Sequence, residues 1–368
     1  MALAAPKSSS SGVETLRISQ IVAALKGRNY DQQELGDFDG IRQGGAFNEP
    51  VGNPGATSVT FRHDSPDWGS KAIRVPHGVI PSESFWRRME EISSKVEMHN
   101  SNGILPSVVD FKVHRESIWP ESKKINAITM PWIEGRTVHS CARDLASRGD
   151  VSSLAALADS LEEFGKNIQS SPFDHGDISG GNIMIDEDGV LQLIDPDTLR
   201  HDDVSEGRIG EMGHPGYTHK SRSGKIWEDD LFRFPLEVMI VGVRGLAHDV
   251  SLADRFGDED GSILFEESDL SDPRASELFD ELCSIGDENL SVISRNLRDA
   301  ALAESIPDAN KILGRFRSAQ PLPVRSNAVI VSPLSSYESP RVRRNHNSRP
   351  TMAPLTIPSF MRKEGSLQ

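Results

Sequence analysis

The chain has 368 residues, 36% hydrophobic and 26% charged, with a formal net charge of −15, enough for a sizeable core in two domains or lobes of a globular protein. So acidic a chain is a poor match for a nucleic-acid binder, whose phosphate contacts are made by Lys and Arg. Only two cysteines, Cys141 and Cys283, are present, which excludes a disulfide framework and a cysteine-built metal site and fits a reducing cytoplasm.

The opening residues 1–12 hold no long apolar stretch, so disorder is expected there and no secretory signal. Thr15–Gly27 carries apolar residues at helical spacing and ends in Lys-Gly, which predicts a short helix. A glycine-rich stretch runs from Gly36 to Gly55. Residues 57–63 and 70–76 flank the turn Asp64–Gly69 and read as a hairpin. Residues 81–99 read as a helix entered through Pro and Ser. Residues 107–113 and 125–132 read as strands. From 142 to 171 the pattern is helical with a break near Gly149, and helical patterns return from about Glu228 to Arg317. The longest apolar stretch, Phe234–Leu246, is too short to span a bilayer and carries Glu237 and Arg244. It is expected as a core helix, with no membrane association. The last fifty residues, 319–368, hold seven prolines and seven Lys or Arg against two Glu. They are expected to be a disordered basic tail, an inert linker by default, whose serines 332, 335, 336 and 339 leave autophosphorylation and partner docking as alternatives.

The stretch HGDISGGNIMIDEDGVLQLID (175–195) carries the chemistry. Asn182 follows Asp177 by five residues and Asp195 follows Asn182 by thirteen. Between Asn182 and Asp195 the pattern is strand, Asp-Gly turn, strand, and a tight hairpin brings its ends together. An amide oxygen and a carboxylate oxygen side by side suit a hard cation such as Mg²⁺ that also holds phosphate oxygens. Asp177, on the same loop, is placed to accept the proton of an attacking hydroxyl.

These residues resemble the catalytic segment of the protein kinase superfamily, H-R-D-x-x-x-x-N followed by D-F-G. The H-G-D loop, the arginine strand and the FPL helix together look like a group of bacterial kinase-like proteins related to eukaryotic-type Ser/Thr protein kinases. The resemblance implies an α+β, two-lobed fold with a small β-rich N-lobe (38–131) and a larger helical C-lobe (132–318). An N-terminal extension (1–37) would precede them and the tail (319–368) would follow. It implies Asp177 as catalytic base and Asn182 and Asp195 as holders of Mg²⁺. It sets Arg74 of KAIRV at the place of the phosphate-binding Lys, with Glu90 or Glu83 as its helix partner. Backbone groups near Met130 to Trp132 would meet the adenine of ATP. Gly52 and Gly55 of VGNPGATSV stand where the phosphate-covering loop belongs. His175 is expected to be a structural loop residue, GHPGYTH (213–219) the end of an activation segment, and Lys71 to lie on the strand face opposite Arg74.

The sequence departs from the family in four places. The glycine loop is irregular, Arg74 replaces Lys, Gly176 removes the arginine that receives an activation-loop phosphate, and DPD replaces D-F-G, with Asp197 expected to face solvent or cap a turn. Three functions remain open on these residues: a protein kinase acting on Ser or Thr, a small-molecule phosphotransferase of the aminoglycoside or choline kinase type, and a non-catalytic kinase-like binding module.

Overall fold

The computed structural model describes residues 15–66, 69–101, 108–121, 123–204, 213–223, 228–257 and 261–316. The expected disordered ends, 1–12 and 319–368, lie outside the described residues, as do residues 205–212 of the segment between Asp195 and Gly213.

The predicted hairpin forms. Ser58–Ser65 pairs antiparallel with Gly69–Pro76 in a register running from Ser58↔Pro76 to Ser65↔Gly69. It sits in a five-stranded antiparallel sheet ordered Gly52–Pro54, Ser58–Ser65, Gly69–Pro76, Ile125–Pro131, Lys112–Ile118. Side chains alternate across a strand, and here the two faces have different work. Val59, Phe61, Ile73 and Val75 enter one core together with Ile21, Ala24 and Leu25 of the Ile18–Lys26 helix. Thr60, Ala72 and Arg74 face the other way, toward a cavity. Lys71 lies on the face opposite Arg74, as its odd offset requires, and its Nζ donates to the Glu34 carbonyl at 3.3 Å. The N-terminal helix, expected as part of an extension, is therefore a wall of the sheet's own core.

The Glu83–Ser101 helix packs Trp86, Met89, Ile92 and Val96 into a second core that also contains Ala72, Ile128 and Met130. The strand expected at 107–113 lies later, at Lys112–Ile118. Val108, Val109 and Phe111 are buried, but Val108 makes only an isolated bridge to Leu193. Within the actual strand, His114 and Ser117 are buried among polar neighbours, and the register shifts between His114 and Ile118 around Glu116, whose φ is +48°. That bulge hides the alternation.

Helices dominate the rest. Val138–Ser147 and Val151–Gln169 are separated at Gly149, whose φ of +67° ends the first, and Asp150 caps the second through Ser153 N–H. Arg233–His248 is buried on nearly every side, as its all-round apolar sequence demands. Its one buried ion pair, Arg233 to Glu237 at 2.7 Å, is helped by Arg233 donating to the carbonyls of Leu313 and Gly314. Glu277–Ser284, Glu288–Leu302 and Ile306–Leu313 complete a mixed α and β structure. Among the described residues no helix is long and apolar enough to cross a membrane.

Leu25 is fully buried between the N-terminal helix and the sheet. Leu25→Ala is expected to cost about 2–5 kcal/mol of unfolding free energy, read by urea denaturation. A loss under about 0.5 kcal/mol, the size of an ordinary surface substitution, would show that the helix is accessory to the sheet.

Candidate functional site

The loop that carries Asp177 is anchored before it starts. Phe173–His175 pairs antiparallel with Leu199–His201, and Gly176 N–H donates to the Thr198 carbonyl at 3.0 Å. Asp174 accepts from the N–H groups of His175 (2.7 Å), Leu231 (2.9 Å) and Phe232 (3.1 Å), the last two at the entry to the central Arg233–His248 helix. Burial pushes the Asp174 carboxyl up to about 6, against the pull of these three backbone donors.

His175 is fully buried and joins the two halves of the motif. Its Nδ1 accepts from Asp177 N–H at 3.2 Å, so the proton sits on Nε2, which donates to the Asp195 carbonyl at 2.9 Å. Burial lowers the imidazole's proton affinity, which keeps it neutral. It is the structural residue expected.

Asp177 and Asn182 are hydrogen-bonded. Asn182 Nδ2 donates to Asp177 Oδ2 at 2.9 Å and to the Asp177 carbonyl at 2.9 Å. Asp177 Oδ1 accepts from His214 N–H at 2.9 Å. That donor reaches the carboxylate because residue 213 is glycine: φ is +80°, and a Cβ there would stand 2.9 Å from Thr218 Oγ1 and 3.4 Å from Asp177 Oδ1. The hairpin expected after Asn182 is Ile183–Asp186 against Leu191–Leu193. Ile194 N–H donates to the Asn182 carbonyl at 2.9 Å, which places Asp195 one residue beyond Asn182's partner.

Asp195 sits in the left-handed region, φ +65° and ψ +75°, directly before Pro196. A non-glycine residue holds such a conformation only where its surroundings fix it. Here the fixing groups are His175 and Arg74. Arg74 Nη2 lies 2.9 Å from Asp195 Oδ1 and 2.8 Å from Asp197 Oδ2. All three side chains are largely buried, with 13%, 20% and 15% of their area exposed.

Two expectations are corrected at this point. Asp197 does not face solvent; it is the second partner of Arg74, and burial raises its carboxyl while Arg74 pulls it back down. Glu90 is not Arg74's helix partner. Both its carboxylate oxygens are held by Arg115, at 2.6 and 2.8 Å, and Glu83 also reaches Arg115, at 2.9 Å. The helix residue that faces the motif is Arg88, which donates to the carbonyls of Leu199 (2.8 Å) and Asp197 (2.6 Å).

Beside Asp195 lies a cavity of about 310 Å³ bounded by Ala72, Arg74, Met130, Trp132, Met184 and Asp195, with Asn53 and Thr60 at its sheet edge. Arg74, Met130, Trp132 and Asp195, singled out separately in the sequence, line this one space. Its size and its mix of apolar walls with a few charged groups are those of a small-molecule site. The Trp132 ring is held under the Arg62 guanidinium at 5.2 Å. The Trp132 N–H, expected to meet a ligand, is already taken by the Ser70 carbonyl at 3.0 Å. The two glycines shape the sheet edge. Gly55 N–H donates to the Ser58 carbonyl at 2.7 Å and closes the hairpin, so that amide is not presented to a phosphate. A Cβ on Gly52 would stand 2.5 Å from Val59 Cγ2 and 2.8 Å from the Phe61 ring.

Among the described residues no group of three or more His, Cys, Asp or Glu side chains has the arrangement of a metal cage. The donors a hard cation would use are fewer. Asn182 keeps its amide oxygen, since its nitrogen is turned to Asp177. Asp195 keeps Oδ2, since Arg74 holds Oδ1. Compared with known proteins, the chain matches no family model and no curated protein.

Arg74 separates two buried carboxylates, and Arg74→Met removes the charge while keeping the bulk. A carboxylate whose folded-state proton affinity is raised binds a proton in the folded chain that the unfolded chain has released. Stability therefore falls as pH rises above the unfolded value. The variant is expected to lose about 3–5 kcal/mol relative to wild type at pH 7, and less toward pH 4, read from denaturation midpoints across that range. An equal loss at both pH values would show that the contact is packing alone.

Proposed function

We propose that the chain is an ATP- and Mg²⁺-dependent phosphotransferase with a two-lobed, protein-kinase-like arrangement, acting on Ser or Thr hydroxyls of a protein. The observation that carries the proposal is the single hydrogen-bonded unit formed by Asp177, Asn182, His175 and Asp195 beside a cavity that Arg74 shares. The neutralised phosphate charge would come from Mg²⁺ held by Asn182 and Asp195.

The chain's own residues have distinct parts in this reading. Asp177 is oriented by donors on both carboxylate oxygens, so it faces an incoming hydroxyl in a fixed pose and takes its proton. Arg74 brings a positive charge to the wall of the cavity, beside which phosphate oxygens would lie. Ala72, Met130, Met184 and the Trp132 ring give a flat base an apolar slot. Such catalysis comes from positioning and charge neutralisation. The acidic composition argues against nucleic acid as partner, and a small-molecule hydroxyl is the alternative acceptor.

A second reading has its own support. Arg74 already neutralises Asp195 and Asp197, so a nucleotide could bind without a catalytic metal, in a module that transfers nothing.

Purified protein with labelled ATP, Mg²⁺ and a protein mixture separates these readings. Label on protein is expected, and Asp177→Ala is expected to cut transfer by about 10²–10⁴-fold while the protein stays folded, with a thermal midpoint lowered by the loss of its bonds to Asn182 and His214. Label on a metabolite would move the acceptor to a small molecule. Nucleotide binding without transfer would favour the non-catalytic module. Wild-type transfer by Asp177→Ala would remove Asp177 from the chemistry.

A further inference from the structure

On the far side of Arg74 lies a second cavity, of about 260 Å³, between the Ser58 end of the hairpin, the start of the Glu83–Ser101 helix and the Asp197 turn. Its walls combine charge and apolar surface. Arg74 and Arg88 line it against one carboxylate, Asp197, and Phe85 and Trp86 form the apolar side.

Arg88 is the unusual member. Both its Nη atoms donate to neutral carbonyls, of Leu199 and Asp197, and no carboxylate among the described residues pairs with it. A guanidinium has five N–H donors, so it retains others for a ligand. Its ring contact is Phe85, at 5.5 Å from the guanidinium carbon. Asp197, the acid on this wall, is already bound to Arg74. Ser58 supplies an independent observation. It is 4% exposed and lines the cavity, yet its hydroxyl has no hydrogen-bond partner among the described residues. The hydroxyl opens on the cavity, where it can both donate to and accept from a ligand.

We propose that this cavity binds a compact organic anion, a carboxylate or phosphate monoester carrying an apolar group. Arg88 and the Ser58 hydroxyl hold the anion, and Phe85 and Trp86 pack the apolar group. The inference does not rest on phosphoryl transfer, since none of these four residues belongs to the Asp177–Asn182–Asp195 unit. Burial lowers the Arg88 proton affinity, opposed by the nearby Asp197 carboxylate.

Calorimetric titration of the full chain with phenyl phosphate, benzoate and neutral benzyl alcohol tests the proposal without using nucleotide. At least one of the two anions is expected to bind saturably and benzyl alcohol not to bind, the tighter anion naming the class. Arg88→Gln is expected to weaken the anion by about tenfold or more and Ser58→Ala by about threefold. Ser58→Ala removes no hydrogen bond within the protein, so it reports even if Arg88→Gln fails to fold. Absence of saturable binding by both anions, or binding unchanged in Ser58→Ala and in any folded Arg88→Gln, would overturn the proposal.

Discussion

One guanidinium holds the two halves of the candidate site together. Arg74 leaves the middle of the sheet and ends between Asp195 and Asp197, at 2.9 and 2.8 Å. Two carboxylates this close and this buried repel and are each poorly solvated. A cation placed between them is the condition on which the turn exists. With it, Asp195 can stay in a left-handed conformation before a proline. Without it, the turn would gain from protonation or from opening. Both acids are met by the same nitrogen, Nη2, on a group that stays protonated across the whole working pH range.

From that contact the arrangement extends outward by short, directional steps. His175 carries the constraint from the Asp195 carbonyl to the Asp177 amide. Asn182 and His214 then fix the Asp177 carboxylate from two sides. Asp174 fastens the strand before the loop to the entry of the most buried helix in the described structure. The site is thus built on a sheet, a hairpin and a core helix, and its polar groups are oriented before any ligand arrives.

Much of this was legible in the sequence, for reasons that differ by element. The 58–76 hairpin follows from alternation and a turn rich in Asp, Pro and Gly, and the hairpin after Asn182 from its Asp-Gly turn, all of which are local. The Asp177, Asn182 and Asp195 intervals were informative because a hairpin maps sequence spacing onto space. Long-range pairings were not. Glu90 looked like a partner for Arg74, yet residues two apart on a helix point about 200° apart, and the buried motif meets Arg88. Glu90 turns to Arg115 on a strand whose bulge at Glu116 had concealed it. Turn chemistry alone leaves Asp197 to solvent or to a cap, because the cation that justifies burying it lies 123 residues earlier. His214 had no signal of its own; only the adjacent glycine marked the close approach.

The most direct measurement is a crystal structure of the protein with Mg²⁺ and a non-hydrolysable ATP analogue. The expected result places the base against Met130 and Trp132, the phosphates within reach of Arg74, and the metal on Asn182 and Asp195. A nucleotide bound elsewhere, or Asp177, Asn182 and Asp195 opening onto different surfaces in that complex, would contradict the reading of this region as a phosphoryl-transfer site.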